Sequence, residues 1–193
     1  MIERWFSTPL FVVDLEKEDL EEIQEEIKQA LPDIRQSCSS IIQNGSVATT
    51  FNFANGTPND IEDFKLVKFK REIEYQLNEY IKNIKYKGAP LELINSWTTF
   101  YNKGGCHFDH IHPLSRVSGC YYYQTNGSDG NIIFMNPNPH AHTLGFPSDG
   151  VKNENVNYAP KVGRLIFFPS WLIHRVDMNC TDNERISLAF NFE

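Results

Sequence analysis

Three histidines and an aspartate occupy four of six consecutive positions in the segment CHFDHIHPLS. They make two pairs, each with one residue between its members: His107 with Asp109, and His110 with His112. Imidazole nitrogens and carboxylate oxygens are ligands for divalent transition metals, so either pair could supply two ligands to one ion. Because side chains alternate between the two faces of a β-strand, the pairs are expected to face opposite sides unless a bulge intervenes.

A third ligand and an anion-binding group are available further along the chain. His174 ends the apolar segment GRLIFFPSWLIH, and Arg185 opens the apolar segment RISLAFNF, with Ser187 two residues later on the same face. A guanidinium at the start of such a strand requires water or an anionic partner. Together these residues could form a metal centre with open coordination positions beside a site that binds a carboxylate. Non-haem iron oxygenases have this layout when their co-substrate chelates the metal at one end and pairs with an arginine at the other.

The two remaining histidines, His140 and His142, lie in the Asn- and Pro-rich segment NPNPHAHTLGFPSDG. Loop histidines are usually solvated, so they are not assigned as ligands. The segment 136–160 is long and rich in turn-forming residues, which is typical of an active-site lid or a substrate-recognition loop. Together with Asn138, these histidines would line the site if the loop closes over it.

The elements that must hold these residues change character along the chain. Apolar residues recur every three or four positions over 15–31 and 58–88, which predicts two amphipathic helices. Asp14 is predicted to cap the first helix, and Pro32 to end it.

The second half of the chain has the pattern of a β-rich core. Short runs of aromatic and β-branched residues alternate there with turn clusters such as NKGG and NGSDGN, which predicts a barrel or a double-sheet jelly roll. We therefore predict a single α+β domain over 1–193. Its helical part, over 1–90, buttresses a jelly-roll core over 91–193.

Composition and charge exclude several other classes of protein. The formal net charge of −7 argues against nonspecific nucleic-acid binding, which needs basic surfaces. No apolar run approaches about 18 residues, so no membrane span is predicted. The start of the chain lacks the pattern of a signal peptide, which predicts a cytoplasmic protein. The four cysteines show no CxxC spacing, which predicts reduced thiols rather than a structural zinc site.

Long ordered motifs resemble one known family. The chain reads HIHPLSRVSGCYYY at 110–123, GRLIFFPSWLIHRV at 163–176 and RISLAFNF at 185–192, preceded by SWTTFYNKGG at 96–105. These segments resemble the 2-oxoglutarate/Fe(II)-dependent dioxygenases, and in particular a bacterial and phage subfamily marked by HxHPxSxxSGxYY. The resemblance spans about half the chain.

The resemblance implies a fold, a cofactor and a set of binding residues. The fold would be a double-stranded β-helix, the metal Fe(II), and the co-substrate 2-oxoglutarate. Arg185 would pair with the distal carboxylate of 2-oxoglutarate and Ser187 would hydrogen-bond to it, with Tyr101 as a further candidate. The reaction would hydroxylate a peptidyl residue or a small metabolite and release succinate and CO2.

The resemblance also favours one of the two ligand pairs. Its motif register turns His110 and His112 inward, so that they bind the metal with His174, while His107 and Asp109 face outward or lie in the preceding loop. The alternative that stays open is a site in which Asp109 binds the metal with His107 and His174. A centre of three imidazoles departs from the two-histidine, one-carboxylate pattern of most relatives, and its iron would keep one more unit of positive charge.

Two other functions remain to be weighed against this interpretation. The first is a three-histidine non-haem dioxygenase that does not use 2-oxoglutarate, although such an enzyme has no need of an anion clamp at Arg185 and Ser187. The second is a non-catalytic jelly-roll binding protein. The sequence does not indicate an oligomeric state.

Overall fold

A computed structural model of the chain describes residues 7–52, 58–138 and 155–193. The strands in these residues are, in chain order, β1 (Phe11–Asp14), β2 (Ser40–Ile42), β3 (Val47–Thr49), β4 (Leu93–Tyr101), β5 (His107–His110), β6 (Val117–Gln124), β7 (Ile132–Phe134), β8 (Val156–Tyr158), β9 (Arg164–Pro169), β10 (His174–Val176) and β11 (Arg185–Phe192). The helices are α1 (Lys17–Gln36), a short 3-10 helix (Gln43–Gly45), α2 (Asp60–Asp63) and α3 (Val67–Asn83).

The strands form two antiparallel sheets. The larger sheet has seven strands in the order β1-β9-β6-β11-β4-β3-β2, and the smaller has four in the order β5-β10-β7-β8. This non-sequential order is that of a jelly roll, in which strands distant in sequence become neighbours. The predicted α+β fold with a double-stranded β-helix core is confirmed.

Alternation along β11 separates a structural face of the larger sheet from a functional one. One set of its side chains packs towards the helices, namely Ile186, Leu188, Phe190 and Phe192. The alternate set faces the other way and begins with Arg185 and Ser187, which pair with Tyr101 and Thr99 of β4. The sheet therefore presents an apolar surface to the helices and a polar surface to the inside of the jelly roll.

Helices α1 and α3 cover the outer face of the larger sheet. Their buried residues, including Ile23 and Ile27 of α1 and Phe69 and Ile73 of α3, join one apolar cluster with the outward-facing side chains of the sheet. Burying each such large side chain contributes about 1.5–3 kcal/mol. The predicted role of the helices as a buttress is confirmed, and no described helix is long and apolar enough to cross a membrane.

The first helix differs from its prediction at both ends. Asp14 does not cap α1, because it ends β1 and its carboxylate bonds to Arg164 and Lys161, while Glu16 takes the N-cap position without a side-chain bond. Pro32 does not end the helix either, since α1 continues to Gln36. The continuation buries Ile34 in a second apolar cluster, and this burial offsets the loss of one helical hydrogen bond at the proline.

The second predicted helix is divided. It consists of α2 and α3, and Lys65 lies between them with a positive φ of 54°. The turn lets Ile61 and Leu66 both enter the core, which a straight helix would not allow.

The sequence also left strands unassigned. β1, β2 and β3 all precede residue 90; β1 and β2 form the two edges of the larger sheet, and β3 lies between β2 and β4. Residues 156–158 of the predicted lid segment form β8, which pairs with β7, whereas His140 and His142 lie outside the described residues.

Candidate metal centre

Three of the predicted ligands come together at one end of the smaller sheet. His110 ends β5, His112 follows two residues later, and His174 begins β10 directly opposite His110. One nitrogen from each ring lies within 4.8 Å of the corresponding nitrogens of the other two. Among the described residues, this is the one group of three or more His, Cys, Asp or Glu side chains with the spacing of a metal site.

The hydrogen bonds of the three rings determine which nitrogen each can offer. The Nδ1 atom of His110 lies 2.7 Å from the carbonyl oxygen of Phe108, and that of His174 lies 2.9 Å from the carbonyl oxygen of Leu172. His112 places Nδ1 2.7 Å from the side-chain oxygen of Asn191. Because carbonyl and amide oxygens only accept hydrogen bonds, each Nδ1 carries the proton and each Nε2 keeps a free lone pair.

Burial keeps these imidazoles uncharged. It lowers the pKa of His112 to about 4 and that of His174 to about 2, and repulsion between the neighbouring rings adds to the effect. Burial lowers the pKa of His110 as well. Since metal binding requires neutral imidazole, the three rings are ready at neutral pH to bind a cation without releasing protons.

The expectation that His107 faces outward is wrong. The pairing of β5 with β10 is irregular between His174 and Val176, so that His107 lies opposite Val176 and the strand contains a bulge. The bulge turns the ring of His107 into the cavity, stacked 4.6 Å from the ring of His110. Its Nδ1 lies 3.2 Å from the hydroxyl oxygen of Tyr101.

Asp109 lies elsewhere. Its side chain is exposed, and its carboxylate is 4.0 Å from the guanidinium of Arg175 on the neighbouring strand. It does not belong to the three-histidine group. The bulge therefore separates the two members of the alternative ligand pair, since His107 enters the cavity and Asp109 does not.

The second part of the site is a buried cation with unused hydrogen-bond donors. Arg185 has no exposed surface, and its Nη1 donates to the backbone oxygens of Asp129 (2.7 Å) and Gly130 (2.8 Å). Its Nε and Nη2 atoms have no hydrogen-bond partner among the described residues. A buried guanidinium with unsatisfied N–H donors destabilises the folded state unless an anion accepts hydrogen bonds from them.

One cavity contains both parts of the site. It lies between the two sheets, and the three clustered histidines line it together with Arg185. The other predicted co-substrate residues, Ser187 and Tyr101, line it as well. Its remaining walls are largely apolar or aromatic and include Trp97, Cys120, Tyr122, Ile132, Phe168 and Ala189.

These features fit a metal with an anionic co-substrate. Three neutral imidazoles would leave the full charge of a divalent ion uncompensated, and Arg185 adds a further positive charge in the same cavity. A dianion with a chelating end and a free carboxylate would satisfy both centres.

Comparison with known proteins identifies the family. The sequence pattern of the family described as putative 2OG-Fe(II) oxygenases matches residues 95–191, which is half of the chain. The chain belongs to this family. Fe(II) and 2-oxoglutarate are accordingly the metal and the co-substrate of this oxygenase.

Solved structures share the fold of the oxygenase at low sequence identity. The epimerase SnoN from nogalamycin biosynthesis is 13% identical with a TM-score of 0.65, over 96% of this chain and 76% of that one. A prolyl-4-hydroxylase from Pseudomonas putida is 14% identical with a TM-score of 0.60, over 97% and 93%. HygX from Streptomyces hygroscopicus, crystallised with nickel, 2-oxoglutarate and hygromycin B, is 12% identical with a TM-score of 0.60, over 96% and 82%. No curated protein matches the sequence.

Sequence reasoning missed Asn191 as part of the site, and it offered His107 only as a metal ligand paired with Asp109. Asn191 had a detectable signal, because it follows Arg185 and Ser187 at even spacing on the same face of β11. The inward orientation of His107 had no signal, since the bulge that causes it depends on pairing with a strand more than 60 residues away.

Proposed function

We propose that this oxygenase binds Fe(II) through the Nε2 atoms of His110, His112 and His174. Together with 2-oxoglutarate and dioxygen it would hydroxylate a C–H bond, with one oxygen atom entering the substrate and the other entering succinate as CO2 is released. The observation that supports the ligand set is the convergence of the three rings, each with Nδ1 engaged by an oxygen acceptor. The metal and its co-substrate supply the oxidising chemistry, while the protein binds, orients and shields the reactants.

The distal carboxylate of 2-oxoglutarate would be bound at the start of β11. The Nε and Nη2 donors of Arg185, which have no partner within the described residues, would supply a charged contact, and Ser187 lies two residues along on the same face. The Tyr101 ring packs 4.0 Å from the guanidinium, and its hydroxyl lies at the same cavity. This arrangement would orient the co-substrate between the cation and the metal.

The walls of the cavity would keep water away from the reacting groups. Trp97 and Phe168 pack against the His112 ring, with ring centroids 5.3 Å and 5.9 Å away. Phe134 and Phe168 also contact the ring of His174. Such a low-dielectric lining strengthens the electrostatic contacts of the bound co-substrate.

The substrate is proposed to be a peptidyl residue or a small metabolite that contacts apolar surface. Exposed apolar side chains stand beside each ligand in sequence: Phe108 (75% exposed), Ile111 (45%), Leu114 (88%), Trp171 (56%) and Ile173 (48%). SnoN and HygX were crystallised with the small molecules nogalamycin RO and hygromycin B, whereas the Pseudomonas protein is a prolyl-4-hydroxylase. The apolar side chains favour a ligand with apolar groups in either class. Neither a nucleic-acid partner nor a membrane is proposed, and the cytoplasmic location stays a prediction.

A thermal-shift experiment tests the proposal. Mn(II) should raise the melting temperature of the metal-free protein, and 2-oxoglutarate should raise it further only when the metal is present, because each binds the native state. Stabilisation by the metal with no further effect of 2-oxoglutarate would support the dioxygenase that does not use it. No response to either would support a non-catalytic binding protein.

A matched pair of variants controls this experiment. His110→Ala should abolish the response to Mn(II) if the ligand set is correct. Asp109→Ala should leave the response unchanged, since that carboxylate is exposed and paired with Arg175. Loss of the response in Asp109→Ala alone would instead support the alternative ligand set of His107, Asp109 and His174.

A further inference from the structure

The ring of His112 is attached to a chain of buried polar side chains. Its Nδ1 lies 2.8 Å from Ser118 Oγ and 2.7 Å from Asn191 Oδ1. Ser118 Oγ is in turn 2.7 Å from Ser170 Oγ, and Asn191 Nδ2 donates to Asn95 Oδ1 at 2.8 Å. All five side chains are buried, so water does not compete for these bonds.

The orientation of the Asn191 amide determines the proton position on His112. Because Nδ2 donates to Asn95, the Oδ1 atom faces both His112 and Ser118, and Ser118 donates to it at 2.7 Å. An unprotonated Nδ1 would place two lone pairs against each other at 2.7 Å. Nδ1 therefore carries the proton, and Nε2 is the free nitrogen that points to His110 and His174.

His112 differs in this respect from the other two rings. His110 and His174 donate to backbone carbonyls of Phe108 and Leu172, two residues before each of them, so local chain geometry fixes their tautomer. His112 contacts two side chains instead: Ser118, six residues away, which donates its own proton to Asn191, and Asn191, 79 residues away, whose oxygen accepts from Nδ1. Its orientation is therefore set by the docking of β11, and a single substitution can change it.

We infer that Asn191 is a positioning residue that sets the tautomer and the ring orientation of His112. This inference rests on the proposed function only in taking Nε2 of His112 as a metal ligand. A neutral amide at this place donates no negative charge to the imidazole, so the protein contributes three uncharged ligands. The positive charge that remains is then available to 2-oxoglutarate.

Metal affinity in two variants tests the inference. Asn191→Leu removes the acceptor, and it should weaken Mn(II) binding by about 10–100-fold, the usual effect of losing a partner of a ligand imidazole. Asn191→Asp restores an acceptor oxygen and should bind Mn(II) at least as tightly as the wild type. Ser170→Ala is the matched control, because the Ser170 hydroxyl belongs to the same network without contacting the His112 ring, and alanine keeps the backbone oxygen that accepts from the His112 N–H. Wild-type affinity in Asn191→Leu would overturn the inference.

The nitrogen chemical shifts of His112 in the metal-free protein give an independent readout. The wild type should show the proton on Nδ1, and Asn191→Leu should shift the population towards the Nε2 tautomer, because Ser118 can then donate to Nδ1. A wild-type ring protonated on Nε2 would overturn the inference, even if Asn191→Leu does not fold. Failure of the proposed function would differ, with no Mn(II) binding by a wild type whose tautomer is as expected.

Discussion

The guanidinium of Arg185 lies 4.0 Å above the ring of Tyr101 in a cavity wall, and two of its nitrogens have no hydrogen-bond partner in the part of the chain that the structure describes. The aromatic face stabilises the buried cation without using its N–H donors. The hydroxyl of Tyr101 extends beyond the ring to His107. The pair therefore keeps a positive charge in the interior with donors still available to an incoming anion.

Replacing Arg185 should weaken the binding of 2-oxoglutarate and leave the binding of the metal unchanged. Arg185→Ala is expected to weaken 2-oxoglutarate binding to the Mn(II)-loaded protein by about 2–5 kcal/mol, the cost of losing one partner of a buried charge pair. Isothermal titration calorimetry measures both affinities. Arg175→Ala, which removes a partly exposed arginine on the smaller sheet, is the control and should leave both unchanged. An unaltered affinity in Arg185→Ala would mean that another group binds the carboxylate.

Replacing His107 should have a different effect from replacing His110. His107→Phe should keep Mn(II) affinity, because its ring does not belong to the metal-binding group, but it should weaken 2-oxoglutarate binding by releasing the Tyr101 hydroxyl. A loss of one hydrogen bond of this kind corresponds to about 0.5–1.5 kcal/mol. The same calorimetric titrations apply, with His110→Ala as the variant that should lose the metal. If His107→Phe lost Mn(II) as completely as His110→Ala, His107 would have to be a ligand.

A methyl group at Gly130 should disturb the anion site from outside the cavity. Gly130 has a φ of +105°, and an added Cβ would contact the carbonyl oxygen of Asp177 and lie 2.8 Å from Nη1 of Arg185. Gly130→Ala is therefore expected to lower stability by about 1–3 kcal/mol and to weaken 2-oxoglutarate binding. Urea denaturation and calorimetry measure the two effects. Gly127→Ala is the control for backbone strain alone, because it also has positive φ but its nearest neighbour is 3.8 Å away. Equal 2-oxoglutarate affinity in the two variants would contradict the contact with Arg185.

The attachment of β1 should depend on pH through Asp14. A hydrogen bond from Arg164, together with Lys161, lowers the pKa of Asp14 from 3.8 to about 2. A lowered pKa means that the carboxylate stabilises the folded state above pH 3.8 and that this contribution is lost as pH falls towards 2. With allowance for its partial exposure, the contribution is about 1 kcal/mol. Urea denaturation of the wild type and Asp14→Asn should differ by this amount at pH 7 and converge near pH 2. A difference that stays constant over this range would rule out the ion pair as its source.

The sequence predicted correctly the features that depend on neighbouring residues, and it failed for those that depend on contacts between distant segments. Alternation along β11 is local, so the shared face of Arg185 and Ser187 was predictable and the structure has it. The division of the second helix at Lys65 depends on which apolar residues the sheet can accept, and it was not predictable from periodicity. Likewise, Pro32 was predicted to end the first helix. The helix continues because Ile34 packs against residues of two distant strands, and local sequence does not reveal that contact.

The position of β11 has a consequence for how the enzyme folds. It lies between β6 and β4, which do not pair with each other, and it carries Arg185 and Asn191. The two halves of the larger sheet are therefore joined only after a segment more than 60 residues downstream of β6 has docked. Chains with such distant pairings fold slowly, because the entropy cost of closing the loop is incurred before the stabilising contacts form. The anion site and the orientation of His112 both depend on the docking of β11, so molecules in which this strand is undocked would have neither.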